Sequence, residues 1–285
     1  MESGNIGMIY LGIALVFILI AIVTYVRSQA IRATVNKGFS LTASSMPIVA
    51  VLFVFGFIFN MINMKLTPAS LTANTPPSPL MIGTGFVFFL ITIFIQAGSM
   101  GYLRDKIKQG SASFSNFNSA ATKYYLKIFL LSLAVGLIIG SFVLIAALLL
   151  ALLSQSAQMV AVVLAMVIAA IGIYTLFLLF FAPYIAICEE IPVIACLKQS
   201  VRVVRKNLLK VLGISLILIS AGFIVGMTLG IGVGLLSRVL PVGTPQIIFI
   251  VLSSLINAFL GLFVTASFMN FYLGISATAS AEVKS

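Results

Sequence analysis

The chain has 285 residues, 62% of them hydrophobic and only 7% charged, with a formal net charge of +11 and a mean hydropathy of +1.26. Soluble domains are about 45–50% apolar and about 25% charged, and a water-facing surface of this size does not tolerate so much hydrocarbon. A soluble globular fold is excluded, and because the cations lie in short segments between apolar runs they read as flanks of membrane spans rather than as a nucleic-acid patch.

A spanning helix needs about 20 apolar residues, since each contributes about 1.5 Å toward about 30 Å of hydrocarbon. The charge-poor intervals predict seven spans. The first is roughly 7–26, ending before Arg27. Met1-Glu2-Ser3-Gly4-Asn5 has no basic n-region and no Ala-x-Ala-like cleavage site follows, so this run reads as a retained span. The second, roughly 46–64, lies between Pro47 and Lys65. A Thr/Pro/Ser/Asn-rich linker over 65–79 leads to the third, roughly 80–102. Residues 128–188 carry no charge and divide at Ser154-Gln155-Ser156-Ala157-Gln158 into spans of roughly 128–153 and 159–184. The sixth runs roughly 209–236 and the seventh roughly 246–273, after Pro241, Gly243 and Pro245.

With seven crossings, one side collects Arg27, Arg32, Lys37, Arg104, Lys106, Lys108, Lys123, Lys127, Lys198, Arg202, Arg205, Lys206, Lys210 and Lys284, and the other holds only Lys65 and Arg238. Basic flanks mark the cytoplasmic face. The expectation is a multi-pass protein of a prokaryotic plasma (inner) membrane, N-terminus outside and C-terminus cytoplasmic. Its fold is an all-α polytopic membrane protein with one lone span, three hairpins and cytoplasmic interfacial amphipathic helices. Ser119–Leu133 resembles Ser200–Leu216, and Gly38 to Ser45 more faintly, which suggests a three-hairpin repeat.

Two segments carry helical periodicity outside the spans. In 113–126, Phe114, Phe117, Ala121 and Tyr124 recur at helical spacing, with Ser113 as a cap. In 191–207, Val193, Leu197, Val201 and Val204 form one stripe and Lys198, Arg202, Arg205 and Lys206 another, with Glu189 and Glu190 expected at the helix N-terminus. This second segment is expected to lie in the interface, apolar side in acyl chains and cations among anionic headgroups. It serves either as a positively flanked connector or as a lipid- or partner-binding surface.

Within the bilayer, Gly222, Gly226, Gly230 and Gly234 recur every four residues, and Gly136 and Gly140 follow Ser132 at the same interval. Bare backbone on one face lets helices approach closely, so these glycines are expected to pack helices, within the monomer or between protomers. The interior of each predicted span lacks ionisable residues, which argues against proton coupling in the bilayer. Its polar side chains are mainly Ser and Thr, with Asn60, Asn63, Gln96, Asn257 and Asn270; Asn257 reads as a tie between helices. The chain has no histidine and no Walker loop, which excludes Ser-His-Asp triads and HExxH zinc sites and leaves ATP hydrolysis to a partner. Cys188 and Cys196, without His nearby, form no metal site. No catalytic residue, cofactor or metal is expected.

The pair Glu189-Glu190 resembles the Glu-Glu pair of intramembrane abortive-infection-type proteases. Those also use a nearby Arg and two later His, whereas Val193 follows here and no His exists, so the likeness does not carry. A second resemblance rests on Ala182-Pro183-Tyr184-Ile185-Ala186 and on Glu189-Glu190-Ile191-Pro192-Val193-Ile194-Ala195-Cys196-Leu197-Lys198-Gln199-Ser200. This stretch resembles the membrane domain attached to some glycerophosphodiester phosphodiesterases and its stand-alone relatives. The resemblance spans about 80–275 and implies about six spans and no transferable activity, because the hydrolase of that family is a separate soluble domain. The functional expectation is a non-enzymatic membrane protein that binds lipid or scaffolds an envelope complex. The alternative is the permease subunit of a transporter powered by a separate ATPase, with 189–207 as the coupling element.

Overall fold

The structure is a computed structural model that describes residues 19–66, 78–152, 158–236, 238 and 244–282. Among them there is no strand. Residues 19–27 are helical, and the rest of the expected span 7–26 lies outside the described residues. In chain order follow α1 (Gln29–Ala43), α2 (Met46–Leu66), α3 (Pro79–Gln109), α4 (Phe114–Leu152), α5 (Gln158–Leu179), α6 (Ala182–Cys188), α7 (Val193–Lys206), α8 (Leu208–Leu236) and α9 (Thr244–Glu282). Six helices among the described residues are long and apolar enough to cross a membrane: Met46–Leu66, Pro79–Gln109, Phe114–Leu152, the kinked Met159–Cys188, Leu208–Leu236 and Gln246–Ser276.

Local chemistry sets the boundaries. Ser78 caps α3 by accepting from Met81 N at 3.2 Å, with Pro79 in the first turn, and Gly110 ends it at φ 80. Ser45 separates α1 from α2: its hydroxyl donates to Leu41 O at 2.6 Å, and its carbonyl accepts from Ile48 N and Val49 N. Nothing comparable stands between 113–126 and the span that follows. The expected interfacial helix is therefore the opening of α4. Phe117, Ala120, Ala121, Tyr124, Ile128 and Leu131 bury one continuous face, and no Gly or Pro interrupts the backbone. Conversely, α1 is a helix in its own right where the sequence showed only a faint repeat.

α9 is the hub and packs against α1, α2 and α8; α3, α4 and α5 form a second layer. The core sits at one end, where Arg104, Lys106, Lys123 and Lys127 gather. It contains Leu103, Ile128, Phe181, Ile185, Ile187, Ile214, Met269 and Tyr272, all at most 1% exposed. Toward the opposite end, α4 buries nothing beyond Leu131 and α8 nothing beyond Ser220, and Leu137 and Leu235 are more than half exposed. Lipid is the solvent that fits these faces.

The described part of the monomer does not supply the helix packing expected for Gly136, Gly140, Gly222, Gly226 and Gly230. Among the described residues a Cβ built on any of these five meets nothing within 4 Å, because they lie on the open halves of α4 and α8. The glycines that packing requires stand at the basic end. A Cβ on Gly101 would collide with Ala120, one on Gly38 with Ser267, and one on Gly98 would sit 2.7 Å from the Phe117 ring. Gly101→Leu is expected to destabilise the bundle by about 1–3 kcal/mol or more through overpacking, whereas Gly226→Leu leaves stability unchanged. Thermal unfolding of the purified chain in detergent checks both.

Candidate functional site

Pro183 starts the local architecture. Its ring has no N–H for Leu179 O and crowds that carbonyl, so α5 stops and the chain restarts as α6. The break frees Leu178 O and Phe181 N, and one side chain serves both. Ser200 Oγ on α7 donates to Leu178 O at 2.8 Å and accepts from Phe181 N at 3.1 Å, fully buried. This fixes α7 against α5, which corrects the expectation that its apolar stripe lies in acyl chains. Cys196, Ser200 and Val204 are wholly buried against protein, and Val193, Leu197 and Val201 pack partly into the same core. Burial pushes the Cys196 thiol above its ordinary value.

At the far end of α6 the carbonyls of Ala186 and Ile187 point out of the helix. Lys127 Nζ donates to the first at 2.9 Å and Arg104 Nη1 to the second at 3.0 Å, cations placed where a helix C-terminus favours them. The next two residues carry the counter-charge, and they are not the N-terminal acids of α7 that the sequence suggested. Glu190 adopts φ 55, the one positive φ outside glycine among the described residues. Its carboxylate accepts from Lys123 Nζ at 2.7 Å, from Arg104 at 3.3 Å and from the Tyr124 hydroxyl. Glu189 turns the other way and accepts from Gln199 Nε2 at 2.6 Å and from the Tyr272 hydroxyl. Asp105 completes the group at 2.7 Å from Arg104. Three of the chain's five acids thus form a clasp joining α3 and α4 on one side to α7 and α9 on the other. Lys123, then Tyr124, hold the Glu190 carboxyl at about 2, well below its ordinary 4.5.

The cations singled out in the sequence lie just outside this clasp. Lys198, Arg202, Arg205 and Lys206 are all exposed on the side of α7 that faces away from the core, and Lys206 is also engaged within the chain.

A third feature was not foreseen. A cavity of about 520 Å³ opens between α2, α3 and α9. Apolar walls from Leu52, Phe55, Phe59 and Leu262 alternate with Asn60, Gln96, Ser99, Ser254 and Asn257. Asn60 Nδ2 donates to Ser254 Oγ at 2.9 Å, a tie between helices. The expected tie through Asn257 is absent among the described residues, and the Gln96 side chain makes no hydrogen bond there either. The Ser99 hydroxyl is buried without a partner. Spacing alone shows these polar groups; only the fold shows that α2, α3 and α9 turn them toward one space.

Helices of this length and apolarity, packed around a core at their basic end, define an all-α polytopic membrane protein. The family model described as Domain of unknown function (DUF7847) matches residues 29–275, and the chain belongs to that family. The match starts at the first residue of α1, so the lone span expected over 7–26 falls outside it. No curated protein matches the chain, and no solved structure does. Nothing in these comparisons links the family to the membrane domain of glycerophosphodiester phosphodiesterases.

Two outcomes follow from the geometry. Ser200→Ala leaves Phe181 N–H and Leu178 C=O unpaired in a dry core and is expected to cost about 1–3 kcal/mol, measured as a lower Tm in detergent. For Glu190 the folded-state pKa lies below the unfolded one, so its contribution is present above about pH 4.5 and is lost as pH falls toward 2. Glu190→Gln should therefore unfold at lower temperature than the parent at pH 7, with the two curves converging near pH 2.

Proposed function

We propose that this chain is a non-enzymatic, lipid-interacting protein of a prokaryotic inner membrane, with its N-terminus outside and its basic end at the cytoplasmic leaflet. The observation that carries this reading is α7. One face is pinned into the core by Ser200, Cys196 and Val204, and the other presents exposed Lys198, Arg202 and Arg205, with Lys206 beside them. A helix held rigidly at the end of the spans keeps its cations at a constant depth, without the entropy cost of ordering a loop. Near an anionic surface each cation is worth about 1 kcal/mol. Catalysis is not assigned to the chain, because three of its five acids are engaged in the clasp and the sequence has no histidine.

A second reading, the permease subunit of a transporter powered by a separate ATPase, draws on the cavity among α2, α3 and α9, since intramembrane polar space is what a substrate path needs. The lateral setting of that cavity favours the first reading. Its lining residues Thr92, Gln96 and Asn257 are exposed on the surface of α3 and α9.

The combined variant Lys198→Gln, Arg202→Gln, Arg205→Gln is expected to lower retention of phosphatidylglycerol in purified protein by at least about tenfold, while zwitterionic lipid is unchanged. Lipid mass spectrometry reads this out. Equal retention of anionic lipid by variant and parent sinks the role given to α7. A membrane-impermeant thiol reagent, applied to whole cells with Cys188 and Cys196 replaced, should label Ser78→Cys and spare Arg202→Cys.

A further inference from the structure

The cavity among α2, α3 and α9 has a composition that narrows what it accepts. Among the described residues no lining side chain is ionisable: the polar members are carboxamides and hydroxyls, and the rest are apolar or aromatic. A charged group entering it would lose its hydration with no countercharge to meet, a cost that buried charges do not recover. An uncharged group loses less, and here it finds partners. Ser99 is only 5% exposed, yet its hydroxyl has no hydrogen bond. The Gln96 and Asn257 amides, exposed on apolar spans, make no side-chain hydrogen bond among the described residues. In hydrocarbon such groups go unpaired only at high cost, so their presence around one space argues for a ligand that completes them. Each amide offers both a donor and an acceptor, which suits a ligand carrying carbonyl and hydroxyl oxygens together.

Volume and access point the same way. At roughly 30 Å³ per water-sized group, about 520 Å³ holds a polar head and the start of a chain, not a whole lipid. The lining residues Thr92, Gln96 and Asn257 are themselves exposed on α3 and α9, two apolar spans, so entry is sideways from the acyl region. Phe88 closes against Phe55 and Phe59 at ring separations of 5.5 and 4.7 Å, giving an aromatic wall for an aliphatic chain.

We propose that this cleft binds an uncharged amphiphile, its hydroxyl and ester carbonyl oxygens set against Ser99, Gln96 and Asn257 and its chain along Leu52, Phe55 and Phe59. The site is separate from the cationic face of α7 and does not depend on the function proposed for that face.

The test uses the full chain in phosphatidylcholine nanodiscs with a photoactivatable diacylglycerol. Saturable labelling is expected in peptides from 52–60, 92–99 and 254–262, displaced by unlabelled diacylglycerol. The variant Gln96→Leu, Asn257→Leu replaces two exposed amides with the residue lipid prefers, so it should fold with an unchanged Tm. It is expected to label about tenfold less, as two lost hydrogen bonds imply. The triple glutamine variant of α7 should label normally even if anionic-lipid retention is lost, which keeps the two claims apart. Labelling spread evenly over all lipid-facing helices overturns the proposal, as does full labelling of the Gln96→Leu, Asn257→Leu variant. Displacement by phosphatidylglycerol as effective as by diacylglycerol also overturns it, since the absence of charge would then select nothing. Displacement by free glycerol instead of diacylglycerol overturns the amphiphile in favour of a small neutral solute. Competition in the unaltered chain decides the matter independently of any variant.

Discussion

In lipid every backbone polar group must find a partner within the protein, and Pro183 is where this requirement shapes the whole molecule. A proline in a spanning helix frees carbonyl and amide groups that water cannot reach. Ser200 answers the break directly, bridging Leu178 O and Phe181 N. The short α6 that follows leaves the carbonyls of Ala186 and Ile187 at its end, and Lys127 and Arg104 take them up. Drawing Arg104 inward requires anions, and Glu190 with Asp105 supplies them. One covalent constraint thus recruits α3, α4 and α7 in turn. The stretch from Pro183 to Ser200 is compact in sequence because its parts answer one another: a break, a cationic cap, an acidic turn and a hydroxyl that fills the break.

The same logic explains why the core lies at one end. Close packing in a bilayer gains little from the hydrophobic effect, since lipid tails are as apolar as leucine, and relies on shape and polar ties. Here the polar ties cluster at the basic end, and so do the glycines that permit contact, Gly38, Gly98 and Gly101. Away from that end α4 and α8 present a largely apolar surface, which acyl chains satisfy as well as another helix would. A regular glycine row is permissive for association and does not itself supply an attraction.

What could be read from the sequence follows from how far each signal reaches. Span positions depend on composition over a window of about 20 residues, a local property, and the helices at Met46–Leu66, Pro79–Gln109 and Leu208–Leu236 lie where apolar runs stand. The merging of 113–126 into α4 was hidden because amphipathic periodicity is the same for a helix lying on a membrane and for the first turns of one entering it; the absence of Gly or Pro near Lys127 was the available clue. The clasp was illegible for a different reason. Glu190 meets partners 67 and 86 residues away, and adjacent acids in a turn have no periodicity to betray that they face opposite ways. Gln96 and Asn257 were visible as amides in apolar runs, but a tie and an unfilled site look alike until the facing helix is known.

The clasp and the cleft share their walls. Along α3, Ser99 lies five residues from Arg104, roughly 7.5 Å at the helical rise, and α9 carries both Asn257 and Tyr272. The floor of the cleft is therefore held by the packed end: Leu262 and Leu103 are almost fully buried there, and Arg104 and Tyr272 are anchored through the two glutamates. Walls fixed at one end and bathed in lipid at the other combine two needs of a lateral binding site. The polar groups at the base are held in place before a ligand arrives, which spares the cost of ordering them, while the open halves leave a path from the bilayer that crosses no packed core. A cleft at the clasped end would lack that path, and one at the open end would lack the support. Its position between them is the one the distribution of polar ties allows.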